Sequence, residues 1–200
     1  MKLSGTYLAG ALYSIVVLIC TMITADACNC PPDSLEHHFK QSEPCRLSTI
    51  ECVLQADEKQ QKKLARRLIR MIRQEAIGDT IGGTTAWILG EMQLQKAIKP
   101  LIKRLGADWF RLQTDVPYRM IAPAEALIQI GESCLPRLMR SARKTTDEQI
   151  HFQMAGIVFH VTGGKQPGLA YLASMQNQLG QRHQAGLRTI KQLLTEKFRD

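Results

Sequence analysis

The chain is poor in aromatic residues, which make up 6% of it, and no stretch alternates β-branched with polar side chains. The missing alternation excludes a half-buried β-sheet, whose strands need that pattern. The residues that dominate, Ala, Leu, Ile, Gln, Lys and Arg, are mostly good helix formers. A length of 200 residues with 44% hydrophobic content suffices for one well-packed domain. The sequence therefore predicts an all-α protein.

The short motifs that mark common catalytic sites are also missing. No G-x-S-x-G nucleophile elbow, H-E-x-x-H zinc motif or P-loop occurs, and the histidines are scattered along the chain. Cys134 falls on the apolar stripe of a predicted helix, so we expect it to be a small buried core residue and not a nucleophile. We therefore predict that the protein is not an enzyme and binds neither a cofactor nor a metal ion.

The N-terminus has the organisation of an export signal. Lys2 precedes a long apolar run, and the small residues Ala25 and Ala27 stand two apart before a predicted cleavage point. The peptidase that cleaves signal peptides accepts little but small residues at those two positions, because its binding pockets have no room for larger ones. Residues 1–27 are therefore predicted to form a signal peptide, which leaves Cys28 as the first mature residue.

Two alternatives for residues 1–27 remain open. Cys28 could receive a lipid, as in a bacterial lipoprotein, or the apolar run could stay as an uncleaved anchor, because about 17 apolar residues lie at the lower limit of a membrane span. In all three cases Lys2 marks the cytoplasmic side, and the rest of the chain is exported. We expect a periplasmic, extracellular or membrane-tethered protein.

A cluster of cysteines follows directly after the predicted cleavage point. Its members are Cys28, Cys30, Cys45 and Cys52. In an exported chain, four clustered cysteines are most simply two disulfides. Cys28 and Cys30 are too close for an easy mutual bridge, so each is expected to bond Cys45 or Cys52, with the connectivity open. A metal site is the alternative, but no C-x-x-C spacing supports it. Residues 28–57 are thus predicted to be a stapled, Cys-rich lead-in segment.

From residue 58 onward, apolar residues recur at helical spacing in segments separated by glycines. The first segment, 58–76, combines one apolar stripe with seven cations. Gly78 and the pair Gly82-Gly83 are predicted to break the helix. We expect the basic face to remain in water, and the alternative is a structural helix that lies on an anionic membrane surface.

The next two predicted helices, within 84–105, recur further along the chain. Leu138 follows Leu101 by 37 positions, and Gly131 follows Gly90 by 41. A weaker third unit and a last helix come after them and end near residue 198. Helix pairs that recur every 30 to 47 residues are typical of α-solenoids (about one pair per repeat).

The recurring pattern resembles HEAT repeats in the short bacterial form that is also found in phycobilisome lyases. The two best-preserved motifs are Ala86-x-x-Leu89-Gly90…Ala97-x-x-x-Leu101-Ile102-x-x-Leu105 and Ala126-Leu127-Ile128-x-Ile130-Gly131…Leu135-Pro136-x-Leu138. The resemblance covers residues 58–198 and implies a short α-solenoid of antiparallel helix pairs. It also leaves open an accessory or chaperone role beside an enzyme, as in the lyases, although a shared repeat does not transfer function.

The second helices of the predicted pairs carry two sets of cations. They are Lys96, Lys99, Lys103 and Arg104, then Arg137, Arg140, Arg143 and Lys144. In α-solenoids these helices commonly line the concave face, so the two sets are expected to stack into one basic strip. The strip and the net charge of +8 predict an acidic protein or another polyanion as the partner. Solvated charges on unrelated faces are the alternative, and export with few aromatics argues against nucleic acid.

Overall fold

The computed structural model describes residues 35–40, 43–74, 77–107, 109 and 120–199. Within these ranges every regular element is a helix, which confirms the all-α prediction. The predicted signal peptide, Cys28, Cys30 and the side chain of Cys45 lie outside the described residues. The predictions of export and of disulfides therefore stay predictions.

The chain divides into two compact units, Met1–Asp57 and Glu58–Asp200. In the first unit, helix α1 spans Leu35–Phe39 and helix α2 spans Glu43–Gln55. Both ends of α1 are buried, and α2 contributes further buried aliphatic residues. Cys52, on α2, is half-buried.

The second unit contains the helices that the recurring pattern predicts. Among its described residues they are α3 (Glu58–Met71), α4 (Asp79–Glu91), α5 (Ile98–Lys103), α6 (Ala122–Ile130), α7 (Leu135–Ser141), α8 (Glu148–Thr162), α9 (Lys165–Gln178) and α10 (Gln184–Lys197). Short 3-10 turns precede α5, α7 and α10, and another follows α7. The helices α5 and α7, which are the second helices of the two best-preserved units, thus each begin after a tighter turn.

Helices α4, α6, α8 and α10 pack on one another in chain order. Helix α4 makes its most extensive contact with α6, α6 also contacts α8, and α8 packs on α10. On the other side, α5 contacts α7, and the 3-10 turn Ala142–Lys144 contacts α10. The contact between α5 and α7 places these two helices side by side. Their cations can form one strip only if the helices are adjacent in this way.

The recurring apolar positions form the core. Leu101 on α5 and Leu138 on α7, which occupy equivalent positions in the pattern, are both fully buried, as are Leu89 and Leu127 on the first helices. Burying one leucine side chain stabilises a fold by about 1.5–3 kcal/mol, so these positions anchor each pair. The opposite faces of α5 and α7 are left to polar and charged residues.

The prediction that Gly82-Gly83 breaks a helix is wrong. Both glycines lie inside α4 and are buried. The indole of Trp109 packs against Gly82 so closely that a Cβ there would lie 2.6 Å from the ring. Because glycine has no side chain, the ring of Trp109 fits against the helix at this position. The free energy gained by this packing outweighs the cost of about 1 kcal/mol that each glycine has in a helix relative to alanine.

Helix α8 has defined ends. The carboxylate of Asp147 accepts hydrogen bonds from the backbone amides of Gln149 at 2.8 Å and Ile150 at 3.3 Å, which caps the first turn. At the other end Gly163 adopts the left-handed conformation with φ of 84°. The helix therefore ends at Gly163, and the Asp147 cap places Ile150 in its first turn.

Candidate partner-binding groove

Six of the eight predicted strip residues line one cavity of about 710 Å³, which we call the main cavity. They are Lys99 and Lys103 of α5, Arg137 and Arg140 of α7, and Arg143 and Lys144 of the turn that follows α7. A seventh cation, Arg182, comes from the 3-10 turn before α10. The structure therefore brings together cations that are far apart in sequence.

Two further depressions adjoin the main cavity. One shares Lys99 and Lys103 with it, and the other shares Lys99 and Arg137. The latter also takes in Lys96, Arg66 of α3 and Arg73, which lies just after α3. We call the three depressions together the basic groove, because Lys99 lines all of them.

Helical spacing explains why these side chains share a surface. Lys99 and Lys103 are four residues apart, and Arg137 and Arg140 are three apart, so each pair lies on one side of its helix. The buried Leu101 and Leu138 fix the other side of those helices in the core. Contact between α5 and α7 then places the two pairs next to each other.

Arg104, the remaining strip residue, has a structural role in the described fold. Its Nε donates to the carbonyl of Ile72 at 3.1 Å, and its Nη2 donates to the carbonyl of Gln74. The guanidinium carbon also lies 5.7 Å from the centroid of the Trp109 ring. These contacts hold the chain just after α3, so we leave Arg104 out of the partner-binding set even though it borders the groove.

The groove carries positive charge without local compensation. None of the described residues that line the three depressions is a carboxylate, and none of the main-cavity cations has a described carboxylate within salt-bridge distance. Arg140 uses its Nε only for the carbonyl of Pro136, at 3.0 Å on its own helix. Gathered like charges focus a positive potential that attracts an anionic ligand.

Apolar residues also line the main cavity, and they are less exposed than its cations. They are Ile102 of α5, Ile150 and Met154 of α8, and Leu179 before α10, and we call them the floor of the main cavity. His183 lies there too, 5% exposed, and its Nδ1 has no hydrogen-bond partner among the described residues. Sequence reasoning missed these residues and Arg182, since their place in the site depends on how α8 and the chain before α10 fold back towards α7.

Cys134 is fully buried, which confirms its predicted place in the core. Burial raises the pKa of the thiol to about 12, so the thiol stays protonated at neutral pH and is a poor nucleophile. Burial also raises the pKa of the half-buried Tyr171, and its interaction with Cys134 adds a smaller contribution. Cys134 is therefore an unreactive part of the core.

Neither a metal centre nor a membrane span is found in the described part of the chain. No group of three or more His, Cys, Asp or Glu residues there is arranged to hold a metal ion. None of the described helices combines the length and the apolar character that crossing a bilayer requires. Both findings concern only the described residues, so they do not test the predicted anchor in residues 1–27.

Comparison of the chain with models of protein families, with curated proteins and with solved structures finds no match. The HEAT-like interpretation therefore stays a proposal that rests on the recurrence within this sequence. What the protein does has to be inferred from the geometry and charge of the basic groove.

Proposed function

We propose that this protein is an exported, non-catalytic interaction module of HEAT-like helix pairs, whose basic groove binds an acidic segment of a partner protein. One observation carries the proposal. Cations from α3, α5, α7 and the turn before α10 line adjoining depressions to which no described residue contributes a carboxylate. Like charges held this close repel one another, and an anionic partner removes that repulsion when it binds.

The shape of the groove favours a protein segment over the other polyanions. A planar membrane cannot enter a cavity of about 710 Å³, whereas an extended chain can lie along it. Nucleic acid is disfavoured because, in the described part of the chain, no Trp, Tyr or Phe lines the depressions to stack on bases. Arg66 of α3 and Arg73 just after it line the groove as well, so part of the segment that the membrane-surface alternative would use borders the same site.

A binding titration with simple polyanions tests the proposal. We expect the exported protein to bind fluorescently labelled polyglutamate, and we expect the affinity to fall at least about tenfold between low and physiological salt because exposed charges are screened. Anisotropy at several salt concentrations measures this. A neutral polypeptide of the same length is the control and should not bind.

Anionic phospholipid vesicles decide between this proposal and the membrane-surface alternative. We expect no flotation of the exported protein with them. Salt-sensitive flotation without binding of polyglutamate would contradict the proposed function and favour a structural protein that uses residues 58–76 on a membrane surface. An accessory role beside an enzyme remains compatible with the groove, because the enzyme could supply the acidic segment.

A further inference from the structure

We propose that the main cavity takes one bulky apolar side chain of the bound segment, so that the preferred partner sequence is an acidic stretch interrupted by an aliphatic or aromatic anchor. This inference rests on the proposed function and names the chemistry of its partner. It assigns separate roles to two parts of one site: the cations hold the flanking carboxylates, and the apolar floor holds the anchor.

The floor has the composition of an anchor pocket. Ile102, Ile150 and Leu179 are half-buried, so each keeps apolar surface in contact with water, while Met154 is buried beneath them. They come from α5, from α8 and from the chain before α10, so three separate elements converge on this surface. Covering it with an apolar side chain removes that surface from water, which is favourable.

A purely anionic ligand would pair with the cations but would leave the apolar floor of the main cavity uncovered. A carboxylate above the floor would lose water and find no donor among the aliphatic side chains, which is costly. The volume of about 710 Å³ also exceeds what one carboxylate occupies and lies in the range of pockets that enclose larger ligands. An apolar centre surrounded by a charged rim is the usual arrangement of an interface hot spot.

Two acidic peptides of equal length and charge test the inference. One carries a central leucine, and the other carries a serine at the same position. We expect the exported protein to bind the leucine peptide about tenfold more tightly, as the burial of an aliphatic side chain implies. Isothermal titration calorimetry at one salt concentration measures both affinities.

Substitutions in the floor of the main cavity test whether the preference for the leucine peptide arises there. Ile150→Ser and, separately, Leu179→Ser should reduce the preference for leucine to less than about threefold while leaving the affinity for the serine peptide unchanged. Leu169→Ser is the matched control, because Leu169 is also half-buried but lies on α9 outside the groove. It should retain the full preference, and circular dichroism checks that every variant is folded.

The possible results separate the two proposals. Equal affinity for the two peptides would overturn the anchor and leave the proposed function in place. A preference that persists in both floor variants would overturn the location of the anchor in the main cavity. If neither peptide binds, the proposed function fails, and the anchor fails with it.

Discussion

Reversing four cations of the basic groove is expected to abolish binding of the acidic partner. The variant carries Lys99→Glu, Lys103→Glu, Arg137→Glu and Arg140→Glu. An exposed ion pair contributes about 0.2–1 kcal/mol, and a reversal adds repulsion to the loss of attraction. Four reversals together should cost at least about 3 kcal/mol, which is more than a hundredfold in affinity.

The fold should tolerate these four changes. All four side chains are exposed, and none has a carboxylate partner among the described residues. The hydrogen bond that Arg140 donates to the carbonyl of Pro136 stays within a single helix. Anisotropy with labelled polyglutamate measures the loss of affinity, and thermal unfolding confirms that the variant is folded.

A second variant with the same change in net charge is the control. It carries Lys59→Glu, Lys63→Glu, Arg188→Glu and Lys191→Glu, which are exposed positions on α3 and α10 that do not line the groove. Long-range attraction falls equally in both variants, so any difference between them belongs to the groove. If the control lost as much affinity as the groove variant, binding would follow net charge alone.

Gly186→Ala is expected to destabilise the second unit by about 1–3 kcal/mol, as overpacking does in a well-packed region. A Cβ at Gly186 would lie 2.7 Å from the carbonyl oxygen of Ala142 and 2.8 Å from its carbonyl carbon. Both are backbone atoms, and the same carbonyl lies 3.1 Å from Nε2 of His151, so it cannot easily move. Helix propensity alone predicts the opposite sign, because alanine in α10 should gain up to about 1 kcal/mol over glycine.

Chemical denaturation measures the change, and Gly180→Ala is the matched control. Gly180 has a φ of −62°, and no atom lies within 4 Å of a Cβ built there, so its substitution should stay within about 0.5 kcal/mol of the wild type. Ala142 is next to Arg143 of the main cavity, so Gly186→Ala should also weaken binding of polyglutamate. A Gly186→Ala protein as stable as the wild type would show that α10 does not pack closely on the end of α7.

The local spacing of apolar residues was enough to predict that these segments are helical and that equivalent positions of the recurring units are buried. The spacing of apolar residues predicted the helices of α5 and α7 and the buried sides on which Leu101 and Leu138 lie. The same spacing fixes where Lys99 and Arg137 lie on their helices. Whether these cations bind a partner is not decided by their position, so that part of the prediction remains to be tested.

Contacts between distant parts of the chain could not be predicted from local pattern. Gly82 appears helix-breaking until Trp109, far along the sequence, is placed against it. Arg104 resembles its neighbours on the strip, yet its hydrogen-bond acceptors lie at the end of α3. Arg182 joins the groove only because the turn before α10 comes back to α7. In each case the contact that decides the outcome joins residues that are far apart in sequence. The local spacing of residues therefore does not predict it.

Hydrogen exchange tests most directly whether an acidic segment lies in the basic groove. The exported protein is compared with and without saturating polyglutamate, and peptides are analysed by mass spectrometry. Binding in the groove predicts slower exchange in residues 96–104, 137–145 and 178–183 and unchanged exchange in residues 165–175 of α9. Protection confined to residues 165–175, or no protection of the three groove segments at saturation, would contradict the proposed site.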